Sequence, residues 1–128
     1  MASSDPLAGT RFLHAEPLPE DRYAEWSMAW RERLLGTYSQ LLAALIESHS
    51  AAAEYHDAIR AARLLLEVEP LNETAHRSLM LAYARTGRTS HALRQYLECR
   101  RGLVVELGVE PGAETSALHA QILAGEIV

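Results

Sequence analysis

The sequence predicts an all-α chain of about five helices in antiparallel pairs, on three observations. Twenty-one alanines and twenty leucines stand against seven glycines and five prolines, a balance that favours helix over sheet. Apolar residues recur at spacings of three and four along most of the chain. The breakers fall where they close one helix and open the next within a few residues, as in LLLEVEPLNETAHRSLMLAYARTG, Leu64 to Gly87. With 128 residues, 48% of them apolar, the chain supplies one core of respectable size.

The first nineteen residues, MASSDPLAGTRFLHAEPLP, hold Pro6, Gly9, Pro17 and Pro19, and residues 1–12 are expected to be a disordered or extended arm ahead of a domain spanning 13–128. From Asp21 the spacing of Tyr23, Trp26, Trp30, Leu34, Tyr38, Leu41, Leu42 and Leu45 predicts a long amphipathic helix of roughly seven turns. Glu20 or Asp21 gives it an acidic start that suits the helix dipole, and Gly36 weakens it by about 1 kcal/mol relative to alanine.

A second helix, EYHDAIRAARLLLEV, has to stop before Pro70, which disfavours helical geometry in the residue ahead of it. Asn72 caps a third, ETAHRSLMLAYAR, which Gly87 ends in a left-handed turn. Thr89 is the expected cap of the fourth, SHALRQYLECRRGLVVEL, which stops at Gly108. A fifth, ETSALHAQILA, carries Leu118 and Ile122 on one face, spaced to cover apolar surface left open by the helices before it.

The middle of the chain repeats. A shift of 34 residues lays Ala58, Ala62 and Leu65 over Ala92, Tyr96 and Cys99, and Leu42, Leu45 and Ile46 over His76, Leu79 and Met80. Thirty-four is the tetratricopeptide period, so the helices pair as TPR-like repeats, with Ala58 and Ala92 small enough to let two helices approach closely. The same shift sets Ala53 against Gly87 and Pro70 against Val104. Alanine tolerates the left-handed turn poorly, so the first helix is expected to run on or to end irregularly between Ser50 and Glu54.

The chemistry-bearing residues point away from catalysis. A net charge of −5 gives no general attraction to nucleic acid or anionic membrane, and duplex DNA binding by this chain alone is expected to be no better than about micromolar. All twelve basic residues are arginine. The six histidines form no two-histidine i, i+4 pair and Cys99 is the only cysteine, so neither a metal site nor a cofactor is expected, and Cys99 is read as a packing residue. A lone cysteine and the lack of an apolar leader point to the cytoplasm. Trp26 and Trp30, one turn apart, fit core packing better than a base-stacking platform. Arg100 and Arg101 are read as complementing the C-terminal dipole of the fourth helix. No Ser/His/Asp arrangement, phosphate loop or carboxylate dyad stands out, and the chain is not read as an enzyme.

The segments LPEDRYAEW, RERL, AHRSLMLAYARTG, ALRQYLECRR and ELGVEPGAET resemble the bacterial transcriptional activator domain over about Leu13 to Leu123, with ELGVEP the most specific. That family is a TPR-like helical domain of antibiotic regulatory proteins of the SARP type, in which it follows a winged-helix DNA-binding domain. The resemblance would place a glycine near Ala15, another at Ala53 and none at Gly102. It implies a protein-interaction module of an activator, mediating dimerisation or contact with the transcription machinery. DNA contact would come through a winged helix for which this sequence has no room, so an excised domain or a stand-alone relative is expected. The repeats by themselves also allow an adaptor that takes a peptide or partner helix in a concave groove. In either case the 34-residue register puts Thr74, Arg77, Leu81, Ala84 and Arg85 on the groove side of the third helix. Arg77, Leu81, Arg85 and the following Arg88 are the candidate partner-binding residues, suited to an acidic helix or a carboxylate.

Overall fold

A computed structural model describes residues 20–127, and the expected arm over residues 1–12 lies outside them. The described chain is five helices: α1 Glu20–Ala51, α2 Tyr55–Val68, α3 Glu73–Arg85, α4 Thr89–Leu107 and α5 Ala113–Leu123. Among the described residues there is no strand, and no helix is long and apolar enough to cross a membrane. The chain divides into two units, the first ending at Gly36 and the second running from Thr37.

The second unit holds the repeat. Leu42 and Ile46 of α1, Ile59, Ala62 and Leu65 of α2, and Ala75, Leu79, Met80 and Tyr83 of α3 form one buried cluster, joined by Ala92 of α4 and Ile122 of α5. The 34-residue register predicts its key contacts. Ala58 and Ala92 are 1% and 0% exposed, and a larger side chain at either would force its helix off its neighbour. Helix α3 packs against α2, α4 and α5, so it is the central element of this unit.

The turns between helices follow the same register. At the end of α3, Gly87 takes φ of 79°, Arg88 N–H donates to the Tyr83 carbonyl at 2.7 Å and Gly87 N–H to the Ala84 carbonyl at 3.2 Å. This pair of bonds is the Schellman motif, which satisfies carbonyls the helix end would otherwise orphan. Thirty-four residues earlier, Ala53 takes φ of 58°, Glu54 N–H donates to the His49 carbonyl at 2.8 Å and Ala53 N–H to the Ser50 carbonyl at 3.1 Å. Helix α1 therefore ends in the same regular turn as α3, not irregularly, and the alanine carries the strain of a left-handed conformation, roughly 1 kcal/mol.

Two caps differ in kind. Asn72 accepts from the Ala75 N–H at 3.0 Å, as its sequence position predicts. Thr89 is instead the first residue of α4, whose N-cap is Arg88 with no side-chain cap bond, because the preceding Schellman turn leaves no room for a longer entry. The α2–α3 turn is packed as well as capped: a Cβ on Gly102 of α4 would meet Leu71 Cδ2 at 2.9 Å, so the bare glycine makes space for that leucine.

In the first unit, α1 presents Tyr23, Trp26, Met28, Trp30 and Leu34 to solvent. Trp26 and Trp30 are 55% and 54% exposed, so the core-packing expectation for them fails within the described residues. Of the eight apolar residues whose spacing predicted the face of α1, Leu42 is buried and the others are exposed, because periodicity carries no information on what covers a face.

Candidate partner surface

The four residues singled out on α3 and its C-terminal turn do not share one environment. Arg77 is half-buried; its guanidinium donates to Thr115 Oγ1 of α5 at 3.0 Å and to Thr74 Oγ1 at 3.2 Å. Leu81 is half-buried, one turn on. Arg85 is exposed and makes one long bond, 3.3 Å, to the Tyr55 hydroxyl at the start of α2. Arg88 sits over the Tyr83 ring, 5.9 Å from its centroid, as does Arg63 at 5.7 Å, whose guanidinium also donates to the Tyr83 hydroxyl. Thr74, Arg77, Leu81 and Arg85 nonetheless fall on the side of α3 opposite its buried residues Ala75, His76, Leu79, Ala82 and Tyr83.

Arg77 belongs to a junction that joins α3 to α5. Glu73 Oε1 accepts from the Gly112 N–H at 2.9 Å and from Thr115 Oγ1 at 2.7 Å, while Thr115, fully buried, accepts from Arg77. The Thr115 hydroxyl bond, the Gly112 amide and the nearby Arg77 hold the Glu73 carboxyl below its ordinary range against an opposing effect of burial. The carboxylate thus faces the first amides of α5, where the helix dipole favours negative charge. The GVEPGAET segment is what delivers Gly112 and Thr115 to this point.

A second polar chain crosses the helices at His76. Gln95 Nε2 can only donate, so His76 Nδ1 accepts it at 2.9 Å, which leaves the Nε2 proton for the Pro70 carbonyl, also at 2.9 Å. This buried histidine is fully occupied by structural bonds. His119 stacks on Tyr96 with centroids 3.7 Å apart, tying α5 to α4. Arg100 does not serve the end of α4, which runs seven residues further to Leu107; it forks onto Glu110 with bonds of 2.7 and 3.1 Å and fastens the α4–α5 turn. Cys99 is buried, and desolvation, with Glu73 nearby, pushes its thiol up to about 11. A thiol so rarely ionised is a packing group rather than a nucleophile.

His49, Glu54 and Asp57 bring three possible ligand atoms within 4.8 Å of one another across the α1–α2 turn, a grouping that histidine spacing alone did not suggest. His49 Nδ1 lies 2.7 Å from Glu54 Oε1 and Asp57 pairs with Arg60, so these side chains already satisfy one another as fasteners of the turn.

Two shallow clefts share Glu98. One, of about 410 Å³, lies between Arg63 and Glu67 of α2, Tyr83 of α3 and Gln95 of α4; the other, about 500 Å³, is bounded by Leu71, His76, Gly102 and Glu106. Neither joins a nucleophile to a base. What the second unit presents is a set of polar and charged side chains held in place by neighbouring helices, an arrangement suited to recognition.

Comparison with known proteins identifies the family. A family model described as "Bacterial transcriptional activator domain" matches residues 6–123. The chain is 44% identical to the Regulatory protein DnrI of Streptomyces peucetius over 54 residues, 42% of this chain and 20% of that protein. It is 35% identical to the Transcriptional regulator RedD of Streptomyces coelicolor over 99 residues, 77% of this chain and 27% of that protein. With the Regulatory protein AfsR of the same organism it shares 33% identity over 98 residues, 77% of this chain and 10% of that protein. The matched stretch is thus a minor part of each of these relatives. No solved structure matches.

Proposed function

The chain belongs to the bacterial transcriptional activator domain family, that of SARP-type regulators, and from this premise we propose that it is the protein-contact module of an activator, through which the regulator dimerises or touches the transcription machinery. The observation that carries this reading is the outward side of α3. Three helices pack on α3, and the side opposite its buried residues sets Leu81 between Arg77, which bonds Thr115 of α5, and Arg85, whereas Arg88 sits over the Tyr83 ring. Guanidinium groups around an apolar centre suit an acidic helix or a carboxylate on a protein partner. The roles divide: Arg77 holds the face in shape through Thr115, whereas Arg85, with one long bond, is the arginine free to turn to a partner. Work takes place in the cytoplasm, where the transcription machinery is.

The test uses the 128-residue chain in sedimentation equilibrium and in binding to purified bacterial RNA polymerase holoenzyme. Self-association or polymerase binding is expected, weakened at least about tenfold by Arg85→Glu, since charge reversal within a contact costs more than about 1.4 kcal/mol. Melting should move by less than about 0.5 kcal/mol, because Arg85 is exposed. A chain that is monomeric and ignores polymerase, or an Arg85→Glu variant that binds as well as the parent, overturns the reading.

A further inference from the structure

The 34-residue register sets His49, Glu54 and Asp57 against Tyr83, Arg88 and His91. In the second repeat the turn after α3 gathers its three: the Arg88 guanidinium lies 5.9 Å from the Tyr83 ring centroid and the His91 ring 5.4 Å from it. In the first repeat the turn after α1 makes the same pair of Schellman bonds around Ala53, and the ligand atoms of His49, Glu54 and Asp57 lie within 4.8 Å of one another. The convergence therefore belongs to the turn and not to one choice of rotamers. The chemistry differs: a phenol, a guanidinium and an imidazole in the second repeat, an imidazole and two carboxylates in the first. Glu54 is the N-cap of α2 yet makes no side-chain cap bond; its Oε1 turns instead to His49 Nδ1 at 2.7 Å.

We propose that His49, Glu54 and Asp57 bind a zinc ion across the α1–α2 turn. One nitrogen and two oxygen donors suit a borderline first-row dication better than magnesium or calcium, which favour all-oxygen shells. The two carboxylates cancel the charge of the ion. Zinc takes imidazole nitrogen and carboxylate oxygen at about 2.0–2.2 Å, which sets tetrahedral donors about 3.4 Å apart. Two adjustments bring the group to that spacing. His49 and Glu54 part slightly, and Asp57 releases Arg60, whose side chain is 75% exposed, so that water takes over its charge at little cost. A carboxylate only accepts, so in the metal-free chain Nδ1 of His49 carries the proton of its bond to Glu54. On binding, that nitrogen turns its lone pair to zinc, the neutral ring keeps its proton on Nε2, and water fills the fourth position. The bonds that fasten the turn without metal thus give way to a metal clasp that pins the end of α1 to the start of α2. This site is separate from the α3 face and does not depend on what that face contacts.

The test is calorimetric titration of zinc chloride into the 128-residue chain, with magnesium chloride as the control and melting followed by circular dichroism. One zinc per chain is expected, with Kd of about 10 μM or tighter, and no heat from magnesium. At a 100-fold excess of zinc over Kd the melting temperature should rise by about 5–10 °C. His49→Ala and Asp57→Asn should each weaken binding at least about tenfold. Arg60→Ala, which frees Asp57, should tighten it, and His56→Ala, an exposed neighbour outside the group, should leave it unchanged. Circular dichroism without metal checks that each variant folds; should His49→Ala fail to, Asp57→Asn, at a carboxylate 42% exposed, carries the test. No zinc heat at millimolar concentration overturns the proposal. So does binding that survives both His49→Ala and Asp57→Asn, that is lost with His56→Ala, or that weakens with Arg60→Ala.

Discussion

The two units write the same kind of sequence and do different things with it. In the first, apolar residues spaced by three and four along α1 stand in solvent; in the second, the same spacing in α2 and α3 places Leu65, Leu79, Met80 and Tyr83 at 3% exposure or less. Amphipathic periodicity states which face of a helix needs cover, and the supplier of that cover is a separate, long-range fact. In the second unit the suppliers are helices one repeat away, which the 34-residue register could locate. In the first unit no repeat precedes α1 within the described residues, so the register had nothing to point to.

The strongest way to break this contrast is to remove the cover from the second unit. Deleting residues 109–128 takes away Ile122, Thr115 and the Tyr96–His119 stack, and leaves the Glu73 carboxylate without Thr115 and Gly112. Several kcal/mol should be lost and the melting temperature should fall by more than about 10 °C, if a cooperative transition survives at all. The paired measurement is Trp26→Ser/Trp30→Ser in the first unit, which should leave the second unit's unfolding within about 0.5 kcal/mol. If the truncation melts like the parent, α5 is an appendage; if the tryptophan pair costs as much as the truncation, the two units share one core.

Much of the fold was legible in sequence, and the reasons for the failures are local. Alanine and leucine content, Pro70, Asn72, Gly87 and Gly108 delimited the helices because each acts on the backbone around it. The buried alanines 58 and 92 followed from the repeat. Arg77 was harder to read, since its bond to Thr115 spans 38 residues and depends on how the GVEPG turn folds back. Thr89 failed as a cap because the Schellman turn before it fixed the entry to α4. Of the candidate surface, the pattern of arginines around Leu81 was visible, but the distinction between Arg77 and Arg85 required their partners.

The α3–α5 junction gives a smaller effect with a signature in pH. Glu73→Ala should cost about 1.5–3 kcal/mol near neutral pH, the usual range for hydrogen bonds to a charged group. The folded protein holds this carboxyl below its unfolded value, so its contribution is present above about pH 4.3 and is lost as pH falls through the folded value. Urea titrations of parent and variant should therefore converge as the pH is lowered from 7 to 3. A gap that stays constant across that range would mean that Glu73 acts through packing and not through its charge.

The smallest effects sit on the backbone of α1 and of the turn that ends it, one in each unit. Gly36 ends the first unit inside a helix, and a Cβ there meets nothing within 4 Å, so Gly36→Ala should stabilise the helix by about 1 kcal/mol through propensity alone. Ala53 is the opposite case: it holds φ of 58° with both Schellman bonds made, at the position matching Gly87. Ala53→Gly should relieve roughly 1 kcal/mol of left-handed strain, less the entropy glycine regains in the unfolded chain, for a net gain of about 0.5 kcal/mol. The two changes swap the same two residue types in opposite directions, so composition cannot explain a gain from both. Denaturant midpoints of the single and double variants should add, the sites being seventeen residues apart with no shared partner. If Ala53→Gly instead loses stability, the turn is not left-handed in solution and the expected irregular end of α1 is restored. If Gly36→Ala gives no gain in the second unit's midpoint while raising helicity, the helix of the first unit folds and melts on its own account.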